Sequence, residues 1–442
     1  MTIIFSKISK IISGEISGFP DKSISHRAII FSSFGCGVSK IQGLLNSEDV
    51  INTMECFKSL GVSITKNLDD YIVNSKGFYA FAKSEDSFYM GNSGTSARLI
   101  SGVLSGIHGK TSKITGDASL SKRPMARVIN PLLQMGADIK STDNKVPLEI
   151  SGVNLKGINY TMEVPSAQVK SAILLAGLFA HGETMVIETD FTRDHTENML
   201  KNLGVNIDVS LENKKKIIAL NNNQKEIKSA NYVIPNDFSS ASFFIALALI
   251  TPKSEVIIRN VNLNPLRTGF LSVVKEMGAD IEVLNYNDKQ GESAGDIVVK
   301  SSNLKGIKVD PKLVPSMIDE FPILSIVACF ASGKTELSGV GELRHKESDR
   351  ISAMVHNLNK LGVSLEEKED SLIINGKDAD IQGGVVIESF LDHRIAMSFL
   401  ILGSMCKEPL EIQGCESIAT SFPNFFDVAK SIGLNLEIKK GN

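Results

Sequence analysis

Seven short stretches set a lysine or arginine beside glycine, serine, asparagine or proline: DKSISHR (21–27), GNSGTSAR (91–98), SKRPM (121–125), PSAQVKS (165–171), TRDH (192–195), RHKESDR (344–350) and LDHR (391–394). Most run directly into an apolar helical pattern. A helix N-terminus presents unpaired N–H groups and the positive end of the helix dipole, which suits phosphate or carboxylate. Arginine adds two parallel hydrogen bonds to such groups. Any one stretch alone reads more simply as a capped helix start with a solvated charge, since surface Lys and Arg are the default. DKSISHR and GNSGTSAR stand apart, because a cation opposing the helix dipole stabilises nothing until an anion arrives.

Acids accompany the cations. PSMIDEFPIL places Asp319 and Glu320 ahead of an apolar run, and KESDR sets Glu347 between Lys346 and Arg350. A carboxylate among cations and near apolar walls can transfer protons, with its pKa set by those neighbours. An N-cap for Asp319 and an ion-pair network for Glu347 are the structural readings of the same residues.

The chain around these residues is 442 residues long, 42% hydrophobic and 22% charged, a composition that fits a globular protein of two domains. A net charge of −3 excludes a nucleic-acid binder held by bulk electrostatics, so the anion chemistry is local. Five cysteines without a CxxC pair and seven scattered histidines form neither a disulfide framework nor a metal-ligand set. A reducing cytoplasm, no metal and no membrane association are expected. The apolar runs AILLAGLFA, FFIALALI and FPILSIVACFA fall short of a bilayer span and read as buried helices. ACFASGKT ends like a phosphate-binding loop, but its first glycine would be position 328, which is Ala. It reads as a turn before a strand.

One junction recurs six times along the chain: FKSLGVSI at Gly61, LLQMGADI at Gly136, LKNLGVNI at Gly204, VKEMGADI at Gly278, LNKLGVSL at Gly362 and AKSIGLNL at Gly433. Apolar residues spaced by three and four precede each glycine, as in Ile351, Met354, Val355, Leu358 and Leu361. Each glycine stands where a helix end takes a left-handed residue, and alternation such as Val205, Ile207 and Val209 then begins a strand. Spacings of roughly 70 to 85 residues are too long for a solenoid, and three junctions fall in each half. The polar segment 220–240, with its asparagine run and Pro235, is the expected linker. These patterns predict an α/β (α+β) fold of two similar domains with three repeats each.

With the motifs taken in order, from DKSISHR, GNSGTSARL, RPM, PSAQVKSA and RDHTE to HKESDR and ATSFP, the chain resembles the EPSP synthase family of enolpyruvyltransferases over nearly its whole length. The resemblance implies repeats of βαβαββ type around buried helices and an active site in the interdomain cleft. It also implies a chain that crosses twice, giving domains 21–235 and 1–20 plus 236–442. The reaction implied is transfer of the enolpyruvyl group of phosphoenolpyruvate to the 5-hydroxyl of shikimate 3-phosphate, with release of phosphate and without a cofactor, by a monomer that binds neither nucleic acid nor membrane. Two substrates that each carry a phosphate and a carboxylate explain the crowding of cations. By the same resemblance, Lys22, Ser23, Arg27, Ser166, Ala167, Gln168, Arg193, Asp319 and Lys346 meet shikimate 3-phosphate. Lys22, Gly94, Arg123, Gln168, Arg350 and Arg394 meet phosphoenolpyruvate. Asp319 and Glu347 share the roles of base at the hydroxyl and proton donor to carbon 3, in either order, with Lys22 assisting.

Gly94, rather than Ala, implies sensitivity to glyphosate. Thr420 departs from the family where some members carry a lysine before SFP. The nearest rival is the sister enzyme acting on a UDP-linked amino sugar, expected to show Lys-Asn in place of Lys22-Ser23 and a cysteine near Arg123. A non-catalytic or RNA-end-binding protein of similar repeats is the rival from another class.

Overall fold

The computed structural model describes residues 2–82, 86–221, 226–289, 292–376 and 381–440. The chain divides into two compact units, one of Met1–Phe19, Pro235–Asn287 and Ser293–Asn442, the other of Pro20–Ile234 and Asp288–Glu292. Helices Lys22–Phe34 (α1), Glu48–Ser59 (α2), Gly94–Ser105 (α3), Ala126–Gln134 (α4), Ala167–Gly177 (α5) and His195–Asn202 (α6) belong to the second. Helices Phe238–Ile250 (α7), Gly269–Glu276 (α8), Phe321–Cys329 (α9), Arg350–Lys360 (α10), His393–Gly403 (α11) and Phe425–Ser431 (α12) belong to the first.

The even-numbered helices are the amphipathic ones, and each is followed two residues on by one of the six repeated glycines, with φ between +72° and +102°. A side chain is strained in that conformation, which is why the repeat keeps glycine there. The odd-numbered helices carry the apolar runs and form the core of their unit, with Ala172–Ala176, Phe243–Leu249 and Ile323–Ala328 buried. A helix apolar on all sides can only be buried. Each even-numbered helix but α12 precedes a two-stranded hairpin, and α12 is followed by the single strand Asn435–Lys440.

Three small sheets per unit cover these helices. In one repeat the edge strand Asn159–Thr161 pairs in parallel with Glu183–Glu188, which pairs antiparallel with Lys215–Asn221, itself antiparallel to Ile207–Glu212. With α5 and α6 between, the order is βαβαββ. The sheet Asp86–Tyr89, Thr111–Thr115, Lys145–Ser151, Asp138–Thr142 repeats the same pairing. In the last repeat the fourth strand is Thr2–Lys7, paired with both Leu410–Gln413 and Asn435–Lys440. The expected linker behaves differently. Its residues 222–225 lie outside the described residues, but Ile227–Lys228 and Tyr232–Val233 pair in parallel with Gly35–Gln42. Buried Ile227, Tyr232 and Ile234 explain why this polar stretch is held in a sheet. Among the described residues no helix is long and apolar enough to cross a membrane.

Two features hold the buried helices of residues 20–234 in place. Gly102 on α3 lies against α5 so closely that a Cβ there would collide with the carbonyl oxygen of Ala172. Lys170 on α5 is fully buried, with Nζ 3.0 Å from Glu188 Oε2 and 2.7 Å from Glu197 Oε1, so it ties α5 to a strand and to α6. Burial works against the ammonium, but Glu197 and Glu188 overcome it and hold its pKa above the ordinary lysine value. Gly102→Ala is expected to force the helices apart at a cost of about 1–3 kcal/mol, read from urea denaturation. Lys170→Met, which leaves Glu188 buried without its cation and Glu197 with only Lys216 at 3.6 Å, is expected to lose about 3–5 kcal/mol in the same measurement.

Candidate functional site

The predicted residues of the unit built on residues 20–234 cluster at the starts of its three buried helices. At α1, Asp21 accepts the Ile24 N–H at 2.8 Å as the cap, and Lys22 forms an ion pair with Asp49 of α2. Arg27 is buried and points back along the helix. Its Nη1 donates to the Ser23 carbonyl at 3.0 Å, its Nε to Thr196 Oγ1 at 2.8 Å and its Nη2 to Ser171 Oγ at 2.8 Å. Burial, followed by the charge of nearby Arg193, lowers its pKa to about 10. His26 beside it sits 2.8 Å from Thr53 Oγ1, and burial with the Lys22 and Arg27 charges holds its pKa well below the ordinary value. A neutral imidazole adds no further positive charge at this crowded turn.

Ser93 caps α3, and Gly94 is its first residue. A Cβ on Gly94 would lie 2.8 Å from Arg98 Nη1 and 3.1 Å from Arg123 Nη1, so two guanidinium groups stand directly over this helix start. Arg123 donates to Asn92 Oδ1 and to Ser119 Oγ at 3.4 Å. Arg98 donates to Gln168 Oε1 at 2.6 Å, and Gln168 Nε2 donates to Thr95 Oγ1 at 2.9 Å, joining α5 to α3. Ser166 caps α5, whose first residue is Ala167. Eight of the nine predicted residues of this unit are thus gathered at three helix N-termini, and Arg193, ahead of α6, lies near enough for its charge to act on Arg27.

The other unit gathers Asp319, Lys346, Glu347, Arg350 and Arg394 into a single network. Asp319 Oδ1 accepts from Lys346 Nζ at 3.4 Å and from Arg350 Nη1 at 3.3 Å. Arg350, 1% exposed, also donates through Nη2 to Glu347 Oε2 at 2.6 Å and through Nε to Asp392 Oδ2 at 2.8 Å. Burial opposes the guanidinium charge, but Asp392, Glu347 and Asp319 together raise its pKa above the ordinary value. Burial likewise pushes Asp392 up, and Arg350 reverses that and holds the carboxyl below the usual range. Asp392 caps α11, accepting the Arg394 N–H at 2.9 Å. Arg394 Nη1 donates to Ser239 Oγ at 2.5 Å and to the Asp319 carbonyl at 3.0 Å. Thr420 Oγ1 donates to the Ser417 carbonyl at 2.8 Å.

Four participants escaped the sequence reading. Arg267, with Nη1 3.1 Å from Glu320 Oε2 and 3.8 Å from Asp319 Oδ2, lies in NPLRTGF, a cation beside Pro, Thr and Gly ahead of α8. The rule applied to the other stretches would have found it. Arg98 stood within a quoted motif without a role. Asp49 and Asp392 carry no such signal, since an acid at a helix start is ordinary. Buried Cys329, Cys406 and Cys415 have thiols pushed by burial up to about 12, which suits packing rather than nucleophilic chemistry. Among the described residues no group of three or more His, Cys, Asp or Glu is placed to hold a metal ion.

Each unit therefore offers fixed cations at helix starts, and one adds two carboxylates on a shared guanidinium, an arrangement suited to anionic substrates and proton transfer. Comparison with known proteins is consistent with that chemistry. The family model described as EPSP synthase (3-phosphoshikimate 1-carboxyvinyltransferase) matches residues 6–429. A 3-phosphoshikimate 1-carboxyvinyltransferase of Thermodesulfovibrio yellowstonii is 47% identical over 430 residues, covering 96% of this chain and 98% of the relative. One from Legionella pneumophila is 46% identical over 439 residues, covering 99% of each. The solved EPSP synthase of Acinetobacter baumannii superposes with a TM-score of 0.87 at 43% identity over the full length of both chains. The enolpyruvyl transferase NikO from Streptomyces tendae shares the fold at a TM-score of 0.79 and 13% identity, covering 100% of this chain and 99% of its own. With its family model and its relatives matched from end to end, the chain belongs to the EPSP synthase family.

Proposed function

We propose that this enzyme transfers the enolpyruvyl group of phosphoenolpyruvate to the 5-hydroxyl of shikimate 3-phosphate, and that the residues above carry the reaction. The observation that carries this reading is Asp319 and Glu347 bonded to one buried guanidinium, Arg350. Two carboxylates at fixed separation from the same cation provide an acceptor and a donor for the two protons that the chemistry moves. The substrate hydroxyl adds to carbon 2 of phosphoenolpyruvate and loses its proton, while carbon 3 gains one, giving a tetrahedral intermediate. Loss of phosphate from carbon 2 and of a proton from carbon 3 then restores the double bond. No net electron transfer occurs, so no redox cofactor is required.

Asp319 takes the hydroxyl proton in this reading and Glu347 serves carbon 3, with Lys22 assisting. Ser23, Arg27, Ser166, Ala167, Gln168, Arg193 and Lys346 bind shikimate 3-phosphate. Gly94, Arg123, Gln168, Arg350 and Arg394 bind phosphoenolpyruvate and stabilise charge on the leaving phosphate. Orientation of the two substrates supplies a large part of the rate, since well-placed reactants gain on the order of 7–11 kcal/mol. The enzyme works as a cytoplasmic monomer, with neither nucleic acid nor membrane as partner.

The direct test is phosphate release from phosphoenolpyruvate in the presence of shikimate 3-phosphate. Release with a UDP-linked amino sugar instead, or with neither acceptor, would refute the assignment. Asp319→Asn and Glu347→Gln are each expected to lower kcat by about 10²–10⁴-fold. Calorimetric titration should show shikimate 3-phosphate still bound by both variants, and unchanged turnover in either removes that residue from the chemistry.

A further inference from the structure

Glu320 shares its motif with Asp319, yet the reaction above gives it no role. It is the N-cap residue of α9 but its side chain makes no capping bond, so helix termination does not account for it. The carboxyl is fully buried and bonded on both sides. The Ser239 hydroxyl donates to Oε1, and Arg267 Nη1 donates to Oε2 at 3.1 Å. Arg394 Nη1 donates to the same Ser239 oxygen at 2.5 Å and lies 3.5 Å from Glu320 Oε1.

The directions of these bonds are dictated by the groups themselves. Guanidinium can only donate, and a hydroxyl has one proton, so Ser239 accepts from Arg394 and gives its proton to Glu320. The chain of bonds runs from Arg394 through Ser239 to Glu320, where Arg267 supplies the balancing charge. It joins the starts of α7, α9 and α11. Both Nη1 hydrogens of Arg394 are engaged, one by Ser239 and one by the Asp319 carbonyl. Among the described residues no protein acceptor takes its Nε or Nη2 hydrogens, the edge that meets an anion through two parallel bonds.

We propose that Glu320 is a positioning residue for phosphoenolpyruvate: through Ser239, and with Arg267 as its counter-charge, it fixes the side-chain orientation in which Arg394 presents its free edge to that substrate. This rests on the assignment of Arg394 to phosphoenolpyruvate. A Gln at 320 must either turn an NH2 group against Arg267 or reverse the bond to Ser239, and in both cases the charge is lost. Ser239→Ala removes only the intermediary.

The test is steady-state kinetics on the full chain, with each substrate varied in turn, for Glu320→Gln, Ser239→Ala, Arg394→Lys and the double variants with Arg394→Lys. Glu320→Gln and Ser239→Ala are each expected to raise KM for phosphoenolpyruvate about tenfold while KM for shikimate 3-phosphate stays within about twofold. In the double variants the increases should not multiply, because the residues act through one guanidinium. A lowered Tm with both KM values unchanged, or equal increases in both, overturns the proposal and leaves Glu320 a structural residue. If Glu320→Gln does not fold, Ser239→Ala decides alone. If Arg394→Lys leaves KM for phosphoenolpyruvate unchanged, the assignment of Arg394 itself falls, and this inference with it. If Arg394→Lys raises that KM and the other variants do not, only the positioning role is lost.

Discussion

Positive charge placed where helix dipoles are already positive is the constraint on which this protein is built. In each unit the three helices with the most apolar sequences are buried; Lys22 and Arg394 stand in the first turns of two of them, Arg98 and Arg123 lie over the start of a third, and Arg350 opens the amphipathic α10. Such an arrangement gains nothing from its own electrostatics and must be maintained by packing. Close approach at Gly102 and the buried Lys170 cluster provide part of that packing on one side. On the other, Arg350 is bonded to three acids, so the site cannot relax by swinging its cations into water. The donors are ordered before any ligand arrives, which is the condition under which they stabilise developing charge most.

Hydrogen bonds between helix starts translate this constraint into geometry. Gln168 bridges α5 to Arg98 and Thr95 of α3, and Arg27 bridges α1 to Ser171 of α5 and Thr196 of α6. Arg394 bridges α11 to Ser239 of α7 and to the segment before α9. The same solution thus occurs in both units with different residues, as expected of repeats that share a backbone plan but not a sequence.

Much of this was legible in the chain itself, because it depends on local rules. The six glycines after amphipathic helices follow from backbone sterics, and the buried helices follow from runs too apolar to face solvent. The cation-bearing turns were visible because glycine, serine and proline beside Arg or Lys are unusual ahead of an apolar helix. What remained hidden is the partnership between distant residues. Asp49 meets Lys22, and Arg267 meets Glu320, only through tertiary packing. The boundary between the units falls at Pro235, inside the polar segment expected to be the linker, but the strand pairing just before it, secured by Ile227, Tyr232 and Ile234, carries no signal in so polar a stretch.

The strand Thr2–Lys7 lies between Leu410–Gln413 and Asn435–Lys440. During synthesis, its two neighbours leave the ribosome only after the residues between 8 and 409 have been made. The unit spanning residues 20–234 can assemble while translation continues, since all but Asp288–Glu292 of it is then available. The other must keep its first strand waiting, with exposed edges, until the last strand emerges. The sheet holding Thr2–Lys7 therefore closes later than every sheet of the unit built on residues 20–234.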